Sequence, residues 1–353
     1  MCGKISWKGQ EPKESKMNKH PTVAIVGATG AVGKEVLKVM QKRAFPVKEL
    51  LLFASRNSVG AKQLYGSKIL EVKELTESSF GGVDIAIFSA GSNISLHYAP
   101  FAKQAGCIVI DNSSAFRMQA DVPLVVPEIN GKRIQEHNGI IANPNCTTAI
   151  ALMAVAPLHE RFGLLEMCVV SQQSASGKGA KALLELEGQN REFALGRTIN
   201  LRDWPSFPNH QLAGNIIPFA GGVLENGYTN EEMKLLFESR KILEHETLFV
   251  SPTCTRVPVK RAHTVHVDAT FEKNVSAADA RQLWETMPGL VILDNPAEHV
   301  YPTPLHAEGK DDCFVGRARQ VMGRANRLAF TVVGDQILKG AALNAVQIAE
   351  QLL

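Results

Sequence analysis

Twenty residues without apolar periodicity, MCGKISWKGQEPKESKMNKH, precede a series of short apolar runs separated by helical stripes. The first run, 23–26, ends in glycines. Residues 34–43 follow, with Val36, Leu37, Val39 and Met40 spaced along one helical face. Further apolar runs occupy 50–54, 83–88 and 107–110, with a helical stretch at 94–105. They end in small polar residues: Ser55-Arg56-Asn57-Ser58, Ser89-Ala90-Gly91 and Asp111-Asn112-Ser113-Ser114. Strands alternating with helices predict a parallel sheet covered on both faces, with ligands beyond the carboxyl ends of its strands.

The pattern changes near residue 145. Helices are predicted at 147–161, 179–195 and 231–243, and strands at 167–173, 249–250, 255–259, 264–271 and 291–293. The stretch 264–271 alternates as a half-buried antiparallel strand does. Residues 200–227 are irregular and rich in Pro, Gly and Asn, and 335–353 read as an amphipathic helix returning to the first domain. The expected fold is α/β. A Rossmann-type dinucleotide-binding domain takes 21–145 plus 327–353. An α+β substrate and dimerisation domain with a mostly antiparallel or mixed sheet takes 146–326. Residues 1–20 form a disordered tail, with Met17 a second candidate for the true start.

Composition narrows the function. The chain has 353 residues, 45% of them hydrophobic and 21% charged, which excludes disorder for its bulk. The longest unbroken apolar run, 149–158, is short of the roughly 18 residues a membrane span needs. A net charge of +3 is no nucleic-acid signature. The first twenty residues lack a secretory apolar core and are not an Arg- and Ser-rich transit helix, so a cytoplasmic protein is expected. Six cysteines show neither CxxC nor zinc spacing, so reduced thiols and no metal site are expected. Cys107 and Cys168, in apolar strands, are expected to be buried.

Gly27-Ala28-Thr29-Gly30-Ala31-Val32-Gly33 joins the first strand to the first helix with GxxGxxG spacing. Glycines there permit a tight turn and let a pyrophosphate approach the helix N-terminus. The second strand ends in Ser55, Arg56, Asn57 and Ser58 with no acid for a ribose diol, which favours the 2′-phosphate of NADP. Cys146, in Asn143-Pro144-Asn145-Cys146-Thr147-Thr148, stands where Pro144 ends the turn and an apolar helix begins. The helix dipole and free amides at that position favour thiolate. A thiolate beside a nicotinamide suggests a thioester mechanism, and a proton shuttle is needed. His263 is the attractive candidate; His266 lies on the other face of its strand.

Taken in order, the glycine turn, Asp111-Asn112-Ser113-Ser114-Ala115-Phe116-Arg117, Asn143–Thr148 and Arg256-Val257-Pro258-Val259…His263 resemble the bacterial aspartate-semialdehyde dehydrogenase family from about residue 19 to the end. The resemblance implies NADPH-dependent reduction of L-4-aspartyl phosphate to L-aspartate 4-semialdehyde, a step toward lysine or diaminopimelate, threonine and methionine. A homodimer is expected through the second domain's broad sheet and the apolar segment 216–224, with a tetramer also open. It implies that Cys146 is the acyl-thioester nucleophile, His263 the general acid/base and Gln173 the orienting group. Arg256 takes the substrate carboxylate, a bidentate task that suits Arg. Glu231 meets the ammonium, and Arg117, Asn145 and Lys234 hold phosphate. Ser176, Gly177 and Gln336 approach the cofactor. The family commonly has Ala-Ser-x-Arg-Ser after the second strand, whereas Arg56 here comes one place early. N-acetyl-glutamyl-phosphate reductase shares the logic but tends to have Gly before its cysteine, where this chain has Asn145. A non-catalytic NADP-binding regulator would need none of Cys146, Arg256 and His263.

Overall fold

The computed structural model describes residues 19–353; the expected tail up to residue 18, with Met17 as the second candidate start, lies outside the described residues. The first sheet is built on β1 (Thr22–Val26), buried along its whole length. Helix α1 (Ala31–Lys42) covers it with the stripe Val36, Leu37, Val39 and Met40. The domain continues through β2 (Glu49–Ala54), β3 (Lys62–Tyr65), β4 (Lys68–Glu74), β5 (Ile85–Phe88), α2 (Ser92–Gln104), β6 (Ile108–Asp111), α3 (Pro127–Asn130) and β7 (Ile140–Ala142). The strand order is β3-β4-β2-β1-β5-β6-β7. All pairs are parallel except β3–β4. The order reverses beside β1, which lies between β2 and β5, and the turns after β1 and β5 open there as a ligand crevice.

The second domain begins with α4 (Cys146–Phe162), followed by β8 (Leu164–Gln173), α5 (Ala180–Ala194), α6 (Asn230–Ile242), β9 (Phe249–Arg256), β10 (His263–Phe271), α7 (Ala277–Glu285), β11 (Leu290–Ile292), α8 (Pro304–Ala307), β12 (Cys313–Gln320) and β13 (Arg327–Gly334). Its sheet, β11-β12-β13-β10-β8-β9, is mixed. The β10 strand pairs antiparallel with both β8 and β13, while β8–β9 and β11–β12 are parallel. One face of the sheet packs on α4, whose residues from Thr147 to Ala156 are all buried.

Three expectations need correction. Residues 327–334 form β13 inside the second sheet, so the chain returns to the first domain only after Gly334. The run is apolar and central, and an interior strand hydrogen-bonded on both sides carries little polar alternation. The single helix expected at 335–353 is a π-type turn (Leu338–Ala342) followed by α9 (Leu343–Glu350). The pair is wedged against α1 and α4 and is buried on nearly every side, so it has no broad polar face. Cys168 is exposed, because alternation along β8 turns it to the open face of the sheet, whereas Cys107 is buried. Among the described residues no helix is long and apolar enough to cross a membrane, and no three His, Cys, Asp or Glu side chains cluster as metal ligands.

Candidate active site

Cys146 is the first residue of α4, where Asn145 acts as N-cap. The Asn145 Oδ1 accepts from the amides of Thr147 (3.0 Å) and Thr148 (3.3 Å). The Asn145 amide itself donates to Glu238 Oε2 at 2.6 Å. Most donors at this helix end are therefore already used. Among the described residues the Cys146 amide is left without an acceptor, free to meet developing negative charge. Gln173, nearly fully buried at the end of β8, donates to Thr147 Oγ1 at 3.1 Å, and that hydroxyl lies 4.0 Å from Cys146 Sγ. Gln173 thus reaches the nucleophile through Thr147.

The thiol rests protonated, against the expectation of a resident thiolate. Burial and the Glu231 carboxylate push it up to about 11, which the Thr147 hydroxyl, Arg117 and Lys234 oppose without reversing. Burial outweighs the helix dipole here because the capping side chain has taken the amides that would have stabilised the anion.

A cleft of about 310 Å³ opens in front of Cys146, lined among others by Arg117, Asn145, Lys234, Ser176, Gly177 and Gln336. Arg117 is buried and donates from Nε to Asn143 O (2.8 Å), from Nη1 to Glu238 (2.9 Å) and from Nη2 to Asn112 O (2.9 Å). Lys234 pairs with Glu231, three residues earlier on α6, and the Asn145 amide group donates to Glu231 at 2.8 Å. Burial raises the Glu231 carboxyl, but Lys234, Asn145 and Arg117 outweigh it and hold it below the usual carboxylate range. Glu231 and Lys234 are thus part of the site, not a solvent-exposed surface pair.

His263 and Arg256 stand behind Gly177. A Cβ on that glycine would lie 2.8 Å from His263 Cε1 and 3.2 Å from Arg256 Nη1, so glycine is what lets the cleft wall approach both. The Ser174 amide donates to His263 Nδ1 at 3.1 Å, which leaves the proton of the neutral ring on Nε2. Nε2 is buried and has no protein partner. Burial and then Arg256 push His263 down to about 3. Arg256 Nη1 donates to Ser174 O at 2.8 Å, and its side chain also lines a neighbouring cavity of about 600 Å³ with Lys178, Phe207 and Ile217. His266 faces away and bonds Thr331.

The dinucleotide turn is shaped by close approach. Gly27 has φ +87°, and a Cβ on Gly33 would lie 2.3 Å from Gly27 O. Gly30 is the N-cap of α1, and no side chain caps the helix, so the first amides, from Ala31 and Val32 onward, stay open to an anion. These features fit a pyrophosphate. A second cavity of about 460 Å³ is lined by Gly27, Thr29, Gly30, Ser55, Arg56, Glu74 and Tyr98, and Ser89 borders both it and the cleft. Arg56 has no intramolecular partner among the described residues. Ser58 accepts from the Thr29 hydroxyl at 3.3 Å, and Asn57 lines neither cavity. Gln336 accepts from the Ala262 amide at 2.8 Å and donates to Ser176 Oγ at 2.7 Å.

Comparison with known proteins decides the family. Residues 22–137 match the semialdehyde dehydrogenase NAD binding domain, and 155–339 match the semialdehyde dehydrogenase dimerisation domain. An aspartate-semialdehyde dehydrogenase of Aquifex aeolicus is 45% identical over 94% of this chain and 97% of its own length. One from Legionella pneumophila is 44% identical over 95% and 96%. The chain belongs to the aspartate-semialdehyde dehydrogenase family. The crystal structure of aspartate semialdehyde dehydrogenase II of Vibrio cholerae complexed with ASA superposes with a TM-score of 0.90 at 40% identity, covering 95% of this chain and 98% of that one. As a member of the family the chain is an oxidoreductase acting on an aldehyde group, with a domain that binds a nicotinamide dinucleotide.

The residue pattern missed three residues: Gly340 lines the cleft, Glu74 lines the second cavity, and Glu238 bonds Arg117 and the Asn145 amide. Glu238 was within reach, since it continues the Glu231–Lys234 stripe of α6 at i+7. Gly340 lies where the π-type turn meets Cys146, and Glu74 ends a strand that was not predicted.

Proposed function

We propose that the chain reduces L-4-aspartyl phosphate to L-aspartate 4-semialdehyde, releasing phosphate, with NADPH as reductant. What carries the reading is the meeting of Cys146, two cations and the dinucleotide wall in one cleft. Cys146 Sγ attacks the acyl carbonyl, the C–O bond to phosphate breaks, and the thiol proton leaves on the phosphate, giving an enzyme thioester. Arg117, Asn145 and Lys234 receive the phosphate. The Arg256 fork suits the α-carboxylate. Glu231, held anionic, suits the ammonium, and an ammonium there cancels the charge that raises the Cys146 thiol. Substrate binding thereby favours its own nucleophile. When bound, the nicotinamide supplies the hydride that brings the acyl group to the aldehyde level.

His263, packed against the cleft-lining Gly177 with an unpartnered Nε2–H, suits the role of donor for charge gathering on the carbonyl oxygen. For Nε2 to take a proton, the ring must carry its own proton on Nδ1 instead, where the Ser174 hydroxyl 3.1 Å away is the group able to accept that N–H. Ser55 and the unpartnered Arg56 support a 2′-phosphate and hence NADP, with Ser176, Gly177 and Gln336 toward the nicotinamide. Exposed Ile216, Phe219, Val223 and Leu224, with the open face of the second sheet, support a homodimer through that domain. Free thiols at the five described cysteines are in keeping with a cytoplasmic enzyme.

The deciding assay is phosphate-dependent NADP⁺ reduction with aspartate semialdehyde beside N-acetyl-glutamate semialdehyde. Turnover with the first alone is expected. Preference for the second, or no need for phosphate, would reject the reading. Replacing Arg56 by Ala should erode the preference for NADPH over NADH; an unchanged preference would remove Arg56 as selector.

A further inference from the structure

We propose that Glu238 is a positioning residue that ties the phosphate-binding Arg117 to the backbone of the nucleophile and keeps the phosphate subsite close to neutral, so that phosphate can leave. The inference rests on the reading of Arg117 as a phosphate ligand. Glu238 sits on α6 with its side chain 2% exposed. One carboxylate oxygen accepts from Arg117 Nη1 at 2.9 Å, and the other from the Asn145 amide at 2.6 Å, one residue before Cys146. A single group therefore fixes the distance between the anion-binding guanidinium and the attacking sulfur.

The charges point the same way. The other partners of Arg117 are the neutral carbonyls of Asn143 and Asn112, and among the described residues Glu238 is the carboxylate that pairs with it. Lys234 is paired in turn with Glu231. The two cations at the phosphate end are thus each matched by a carboxylate from the same face of α6. Three residues further along, Lys241 donates to the carbonyls of Arg117, Gln119 and Val122 at 2.7, 2.6 and 2.7 Å, holding the loop beneath the guanidinium. With the loop already fastened by Lys241 and two carbonyls on the Arg117 side chain, a carboxylate is not needed merely to retain the loop. Burial pushes the Glu238 carboxyl up, opposed by Arg117 and the Asn145 amide, but both of its oxygens accept hydrogen bonds, as the ionised group does, so its distinct contribution is negative charge beside an anion site. That weakens the hold on a phosphate dianion, which is the leaving group in one direction and the attacking substrate in the other.

Glu238→Gln keeps the size and removes the charge, and retains one of the two acceptor oxygens. In the oxidative assay the phosphate KM should fall about tenfold or more, because attraction for a dianion rises when a buried counter-charge is lost. Inorganic phosphate should inhibit the reductive assay correspondingly more strongly, and kcat there should drop. Glu238→Asp keeps the charge but reaches one partner, so it should lower kcat with a phosphate KM within about threefold of the parent. A purely structural role would lower the melting temperature and kcat of both variants without a fall in phosphate KM for Glu238→Gln. An unchanged or raised phosphate KM in folded Glu238→Gln overturns the proposal. Should that variant not fold, a Glu238→Asp enzyme with raised phosphate KM and unaltered kcat overturns it instead. Parent enzyme that turns over without phosphate rejects the underlying reading, whereas phosphate-dependent parent enzyme with an indifferent Glu238→Gln rejects only this one.

Discussion

Gly340 offers the most direct test of how closely the two halves of the chain meet at the nucleophile. A methyl group there would sit 2.4 Å from Cys146 Cβ and 2.9 Å from its Cα. Carbon atoms rest about 3.5–4.0 Å apart, so Gly340→Ala must open the contact by roughly 1 Å. Neither side yields easily. Lys339, next in the chain, is clamped by Glu128 and by Gln347, and the backbone before Cys146 is held by Glu238. The displacement therefore falls on the thiol. A misplacement of about 1 Å costs on the order of 100-fold in rate, while overpacking costs about 1–3 kcal/mol in stability. Gly340→Ala should accordingly lose about two orders of magnitude in kcat/KM, followed by NADPH absorbance, while remaining folded with a modestly lower melting temperature. A folded variant that keeps more than about a third of kcat/KM would refute the claim that this contact positions the sulfur.

Cys146→Ala should abolish turnover while NADPH still binds, measured by quenching of protein fluorescence; residual turnover rejects the thioester. Arg256→Lys should raise the KM for aspartate semialdehyde more than it lowers kcat, since a point charge replaces a bidentate fork, and an unaltered KM would take the carboxylate away from Arg256. Lys339→Met breaks a fully buried pair with Glu128 and should cost about 3–5 kcal/mol in urea unfolding, much of it recovered in a double variant that also removes the Glu128 charge; a loss below about 1 kcal/mol contradicts the pairing. His263, held near 3 in the fold against 6.5 unfolded, takes up a proton only in the unfolded chain between those values, so stability is lost as pH falls below 6.5, by about 2 kcal/mol at pH 5. His263→Gln should flatten the fall in melting temperature between pH 7 and 5, and equal slopes would mean that the ring is not buried neutral.

How much of this was readable beforehand depended on whether a segment carries its own pattern. The glycine turn, the stripe of α1 and the alternation along β10 are local and came through directly. The β3–β4 hairpin did not, because an exposed edge hairpin needs no apolar face: Leu64 and Ile69 are both solvent-exposed, and the rest is largely polar. Its omission had a chemical cost. Without β4 no acid was seen near the cavity lined by Ser55 and Arg56, although the register places Glu74 beside Ala54 at the end of β2. The π-type turn escaped for the opposite reason. Residues 338–342 are apolar or small except for Lys339, and periodicity cannot tell such a run from an ordinary helix when it is buried all round.

The candidate site divides along the same line. Asn145 and Cys146 could be placed at a helix start because Pro144 and the following apolar run are adjacent to them in the chain. The state of the thiol could not, because burial and groups far away in sequence decide it: Glu231 adds charge and Glu238 takes the Asn145 amide, while the cap consumes the amides of Thr147 and Thr148 and leaves that of Cys146. A helix N-terminus activates a cysteine only through donors that remain free, and here the residue that makes the start recognisable, Asn145, is the one that uses them. The reactive form then depends on what the substrate brings. On the proposed reading, an ammonium on Glu231 would remove the charge that most opposes the thiolate after burial itself, and the phosphate assigned to Arg117 and Lys234 would arrive on the molecule under attack. On that reading, a thiol raised first by burial and then by Glu231 stays protonated until the substrate is seated, because the carboxylate assigned to the amino group is also the charge that opposes the thiolate.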